Sequence, residues 1–161
     1  MVTGARYDGL LADGMAHHLR RATQAINASW QSHAGDLTPV QFAVVQVLDE
    51  RGSLDQTTLG SLAAVDRSTL TPLLDRLAAR GLLTKTVDPA NRRRQLVTLT
   101  SAGHERAARG RIQAQETSRW IEELLGPESL ATLTLLLKQI GDAGAAGGRG
   151  ASEGDGKWHR R

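Results

Sequence analysis

Between Thr38 and Thr100, the signals that start and stop helices follow one another too closely for a long helix to form. Thr38 offers an N-cap, with Pro39 at the first helical position and Gln41 three residues after the cap, the pattern of a capping box. That helix runs to about Glu50, and Gly52 ends it. Asp55 can cap a short helix over "QTTLGSLAAV", where Leu59, Leu62 and Ala63 are spaced for burial on one side. Gly60 weakens this helix, so packing must hold it. Asp66 can cap "RSTLTPLLDRLAARG", in which Leu70, Leu73, Leu74 and Leu77 follow helical spacing and Gly81 supplies the stop. Pro72 in the second turn predicts a bend or a loosened first turn. "LLTKTV" and "RQLVTLT" then flank "DPAN", which predicts a β-hairpin with Arg92, Arg93 and Arg94 at its tip and on the start of the returning strand.

Long helices are predicted on either side. From about Arg6 to His33, Met15, Leu19, Ala22, Ile26 and Trp30 recur at three- and four-residue steps, the mark of one buried face. Thr100 can cap a helix from Ser101 to about Leu125, whose apolar positions include Ile112, Trp120, Ile121 and Leu124; Gly126-Pro127 break it. "PESLATLTLLLKQIGD" makes a sixth helix, and the Gly-rich residues 142–161 read as a disordered tail. The fold class is mainly α with a small β-hairpin wing (α+β). Helix, short helix, recognition-length helix and basic hairpin form the order of a winged helix-turn-helix lobe at residues 38–100, with dimerisation helices at 1–37 and 101–141.

Charge points to the partner. The whole chain carries a formal +3, whereas residues 66–106 hold eight Lys/Arg against four Asp/Glu. A basic field concentrated on a predicted hairpin suits a polyanion; a solvated basic turn is the alternative. There is no cysteine, which excludes a disulfide scaffold and thiol-based sensing and makes the cytoplasm the expected location. Neither a signal peptide nor a bilayer-spanning run is present, so no membrane partner is expected. Without a GxSxG, P-loop, HExxH or paired-carboxylate arrangement, no catalysis and no cofactor are expected.

The chain resembles the MarR family of bacterial transcriptional regulators over about residues 10 to 141, through "LTPVQFAVVQVL", "DRSTLTPLLDRLAARGLL", "DPANRRR" and "LVTLTSAG" in that order. The resemblance implies a homodimer on a pseudo-palindromic double-stranded DNA operator, usually a repressor released by a small molecule. In such a dimer two recognition helices lie about 34 Å apart, and a ligand acts by shifting that separation. The family wing commonly has an aspartate two residues before its key arginine, where this chain has Asn91 before Arg92 and Arg93. Arg93 is the expected groove arginine, with Arg92, Arg94 and Lys85 on phosphates. Ser68, Thr69 and Thr71 lie where such helices reach base edges, or else serve only as caps; Arg67 and Arg76 reach phosphate or guanine. Thr57 and Thr58 can donate to phosphate, and Asp75 with Arg76 can instead form a surface pair.

Family members generally bind effectors among the first, second and fifth helices and the DNA-binding lobe, and aromatic acids recur among those effectors. Arg20, with His17, Gln24 and Asn27, is the candidate grip on an aromatic carboxylate, because a guanidinium matches a carboxylate in bidentate fashion. A solvent-facing arc, or Arg21 in place of Arg20, is the alternative. A metal-responsive regulator would draw on His17, His18, His33, His104 and His159, but adjacent histidines project about 100° apart on a helix, and no metal site is assigned. A ligand-independent regulator and a winged-helix protein-interaction module complete the alternatives.

Overall fold

The structure, a computed structural model, describes residues 14–32 and 37–150, with side chains up to Gly144. The elements are α1 (Met15–Ser32), α2 (Pro39–Arg51), β1 (Leu54–Asp55), α3 (Gln56–Ala63), α4 (Arg67–Ala79), β2 (Leu83–Asp88), β3 (Asn91–Leu99), α5 (Ser101–Leu125) and α6 (Pro127–Gly150). By its contacts the chain divides into one unit ending at Thr117 and another beginning at Ser118. Among the described residues no helix is long and apolar enough to cross a membrane.

Local chemistry sets the helix starts. The Thr38 hydroxyl accepts the Gln41 N–H while the Gln41 side chain accepts the Thr38 N–H, closing the capping box of α2. Asp55 caps α3 by accepting the Thr57 and Thr58 N–H groups, and Asp66 caps α4 by accepting that of Thr69. The Thr100 hydroxyl takes the Gly103 N–H at the start of α5 and donates to the Gly81 carbonyl. Val44, Val45, Leu48, Leu59, Leu70, Leu74, Leu77 and Val97 fill the core of the lobe and are fully enclosed. Gly60 lets α3 meet α4, since a Cβ there would lie 2.9 Å from the Val65 carbonyl oxygen.

Several expectations change. The sheet has three strands in the order β1-β3-β2, all antiparallel, because Leu54 and Asp55 pair with Val97 and Leu96 on the outer edge of β3. β3 begins at Asn91, so Arg92, Arg93 and Arg94 sit on a strand after a turn at Pro89-Ala90. Asp88 takes the Ala90 N–H at 2.8 Å, which tightens that turn and brings Asn91 opposite Asp88. α4 is continuous through Pro72: the bond it cannot donate would go to Ser68, in an exposed first turn where water can serve. α6 continues to Gly150 rather than stopping at Asp142. The segment has alanines and no proline, and each glycine costs only about 1 kcal/mol in a helix already nucleated. The remaining tail residues 151–161, and the predicted helical residues before Gly14 with His33, lie outside the described residues.

Burial corrects three further readings. Leu62 is 48% exposed, because α3 is only eight residues long and Leu59 and Gly60 are what it turns inward. In α1 only Trp30 is buried; Met15, Leu19, Ala22 and Ile26 are exposed, since among the described residues nothing covers that part of the apolar stripe. The inward residues of the first half of α5 are Gly103, Ala107, Gly110, Gln113 and Thr117, and Ile112 is exposed.

Candidate nucleic-acid interface

The sequence places three polar elements on the lobe: the start of α3, the start of α4 and the wing of β2 and β3. Together they enclose an open cleft of about 690 Å³, lined among others by Thr57, Ser61, Arg67, Asn91, Arg93 and Arg94. Residues far apart in sequence thus converge into one concave surface with three guanidinium groups. Such a surface can hold an anionic oxygen at several points at once.

The three wing arginines differ. The Arg94 guanidinium donates to Asp55 and lies 3.9 Å from Asp88, so it braces the wing against the start of α3. Asp55 therefore serves three ends: it caps α3, accepts the Thr58 hydroxyl at 2.7 Å and anchors Arg94. Those bonds, the Thr58 hydroxyl foremost, hold its carboxyl well below the usual aspartate range. Arg92 and Arg93 are exposed, and no carboxylate among the described residues pairs with either. The Asn91 side-chain oxygen takes the Arg93 N–H at 3.1 Å, so Asn91 orients the wing through a hydrogen bond rather than an ion pair.

Lys85, 19% exposed, donates to Asp75 on α4 at 2.5 Å, so it ties the wing to α4 instead of reaching outward. Arg76 bonds the Pro72 carbonyl at 3.1 Å, and the Asp75–Arg76 surface pair is replaced by Asp75–Lys85. At the start of α4, Asp66 accepts the Thr69 N–H and the hydroxyls of Ser68 and Thr69; Thr71 donates to the Arg67 carbonyl. The Ser68 and Thr69 hydroxyls, in that order, lower the Asp66 carboxyl to about 2. Ser68, Thr69, Thr71, Arg76, Lys85 and Arg92 do not line the cleft, whereas Thr57, Arg67, Arg93 and Arg94 do.

Asp49 is a residue that sequence reasoning missed. At the end of α2 it takes His104 Nδ1 at 2.6 Å and the Arg111 guanidinium, both from α5, and these partners lower its carboxyl. Partners 55 and 62 residues away leave no local signal. Nearby, Trp30 of α1 donates to the Leu37 carbonyl at 2.7 Å and stacks on Phe42 at 5.1 Å, while the Gln113 amide donates to the Trp30 carbonyl. The Thr117 hydroxyl, one turn further along α5, is buried and has no hydrogen-bond partner among the described residues.

The proposed effector residues share α1 but form no cluster. Arg20 and Gln24 are exposed, His17 and Asn27 half-buried, and no hydrogen bond joins Arg20, Gln24 and Asn27 to one another. His17 meets His18 ring edge to face at 5.6 Å. Among the described residues no group of three or more His, Asp or Glu is placed to hold a metal ion; His33 and His159 lie outside them.

Comparison with known proteins gives the same picture from another side. A family model described as "MarR family" matches residues 37–94. Transcriptional regulator HosA of Escherichia coli O111:H- is 36% identical over 89 residues, 55% of this chain and 66% of that protein. The chain thus spans slightly under two thirds of that relative. The homoprotocatechuate degradative operon repressor of Escherichia coli is 33% identical over 106 residues, 65% of this chain and 71% of the repressor. Among solved structures, Bordetella bronchiseptica BpsR, described with a mechanism for regulation of its DNA binding by 6-hydroxynicotinic acid, superposes with a TM-score of 0.78. It is 30% identical, and the match covers 83% of this chain and 97% of BpsR.

Proposed function

The chain belongs to the MarR family of transcriptional regulators, and from that premise we propose that it is a homodimeric repressor released from a pseudo-palindromic operator by a small aromatic carboxylate. The observation that carries the DNA-binding part is the cleft in which Arg67 of α4 and Arg93 of the wing converge. Arg93 follows the minor groove, Arg92 and Arg67 the phosphates, and the exposed face of α4 enters the major groove. Arg94 and Lys85 act from behind, as braces that fix the wing.

The dimer reading rests on the outward apolar stripe of α1 and on that of α6, where Leu133, Leu137 and Ile140 recur at helical spacing and remain exposed. The terminal segments 1–37 and 101–141, which carry α1, α5 and α6, supply this interface. The effector reading rests on two relatives whose descriptions name 6-hydroxynicotinic acid and a homoprotocatechuate degradative operon. In this chain Arg20 supplies the guanidinium for the carboxylate, with His17, Gln24 and Asn27 on the same helix as its partners in the grip. The unpartnered Thr117 hydroxyl adds a buried polar anchor on α5.

Fluorescence anisotropy of the purified protein on DNA from upstream of its own gene, at fixed salt, against a panel of aromatic carboxylates tests the proposal. Specific binding relieved by one acid, with that response lost in Arg20→Ala, is the expected result. Binding that no acid relieves removes the effector assignment; absence of any sequence-selective binding removes the repressor.

A further inference from the structure

A hydroxyl has one proton to give and two lone pairs to offer, so a hydroxyl already donating within the protein can meet DNA only as an acceptor. On the exposed start of α4 all three candidate reading hydroxyls are in that state. Ser68 donates to one oxygen of Asp66 at 2.5 Å, Thr69 to the other at 2.7 Å, and Thr71 to the Arg67 carbonyl at 3.1 Å. The Asp66 carboxylate also accepts the Thr69 N–H, and these bonds hold its carboxyl below the usual aspartate range. Turning either proton toward a base would exchange a bond to an anion for a weaker bond to a neutral acceptor. Phosphate oxygens are acceptors too, and Asp66 repels them. Thr57 differs: it gives Asp55 its backbone N–H, while the side-chain bond to Asp55 comes from Thr58.

In the major groove the acceptors are N7 and O6 of guanine, N7 of adenine and O4 of thymine; the donors are the exocyclic amino groups of adenine and cytosine. We propose that Ser68 and Thr69, with Thr71 behind them, read the operator as acceptors, each taking an amino group of adenine or cytosine. Donation to phosphate is left to Arg67 and Thr57, which line the neighbouring cleft. Asp66 is the positioning residue, since it sets the polarity of both hydroxyls. This deepens the regulator reading and rests on it.

The test starts by selecting duplexes from a random library with the full-length protein. In the enriched half-site, adenines are then replaced one at a time by purine, which lacks the amino group, or by 7-deazaadenine, which lacks N7. Cytosines are replaced by 2-pyrimidinone, which lacks its amino group, and guanines by 7-deazaguanine. Each duplex is titrated with wild type, Thr69→Val and Ser68→Ala. Removing the amino group that a hydroxyl accepts should weaken wild-type binding on the order of threefold to tenfold, the size of one ordinary hydrogen bond, and should cost the matching variant nothing further. Removing N7 should affect wild type and both variants alike. An N7 effect that disappears in either variant, or no amino-group position coupled to either hydroxyl, overturns the assignment. Failure to enrich any sequence is a separate outcome: it overturns the regulator reading, and this inference falls with it.

Discussion

The lobe between Thr38 and Thr100 and the helices outside it are both rich in leucine, yet they treat it in opposite ways. Leu48, Leu59, Leu74 and Leu77 are fully enclosed, whereas Leu137 in α6 is 46% exposed and Leu124 at the end of α5 is 69% exposed. The same residue type at the same helical spacing is core in one region and surface in the other. Periodicity therefore predicts that a face will be covered but not which chain covers it. The leucines of the lobe are covered within this chain, with Leu37 and Ala107 joining their cluster, whereas leucines of α6 and the end of α5 stay exposed and are where a second copy is proposed to dock.

That contrast can be broken most sharply in α6. Leu137→Glu removes about 2 kcal/mol of burial per copy, counted twice in a two-fold dimer, and adds the cost of burying a carboxylate. Sedimentation at micromolar concentration should show monomer with the lobe still folded; an intact dimer would place the interface elsewhere. Leu74→Ala acts only within the lobe and should lower stability by about 2 to 5 kcal/mol in urea denaturation, without changing the association of folded protein. Gly103→Ala is a finer probe of how α5 meets the lobe. Alanine would gain about 1 kcal/mol in an open helix, but here its Cβ would lie 2.1 Å from the backbone oxygen of Leu82. Crowding that costs about 1 to 3 kcal/mol wins, so the melting temperature should fall, and a rise would show that the contact gives way.

The smallest effect concerns acid. The folded Asp66 carboxyl is lowered to about 2, and those of Asp49 and Asp55 are also lowered. Depressed carboxyls stabilise the fold above their unfolded value of about 4 and lose that contribution as pH falls through the folded value. Tm should therefore decline between about pH 4 and pH 2, and the decline should be shallower in Asp66→Asn, which keeps a capping side chain but no titrating one. An identical slope would remove Asp66 from the acid response.

Legibility in the sequence followed the range of the interactions. The caps at Thr38, Asp55 and Asp66 act within three residues, and the helices of the lobe could be placed from them. The two-residue strand at Leu54 was invisible because its only reason to be extended lies at Val97. Arg93 and Arg94 are adjacent in sequence, yet one lines the cleft with no carboxylate partner and the other is held by an aspartate 39 residues away. No feature of "NRRRQ" separates them. Lys85 is similar: its partner Asp75 lies on another element, so a cation read as reaching DNA is internally paired. The outward stripe of α1 could not be foreseen, because the pattern contains no record of what lies opposite.

The two braces also bear on how such a regulator changes its target over generations. Arg94 on Asp55 and Lys85 on Asp75 clamp the root of the wing to the helices, while Arg92, Arg93 and the Pro89-Ala90 turn lie beyond the clamp. Substitutions at the tip can be tried one at a time while α4, the helix proposed to read bases, keeps its seat. Drift at Asp55 or Asp75 loosens the wing from the helices that hold it. The wing thus divides into a portion open to variation and a portion that constrains it, and the boundary runs between two neighbouring arginines.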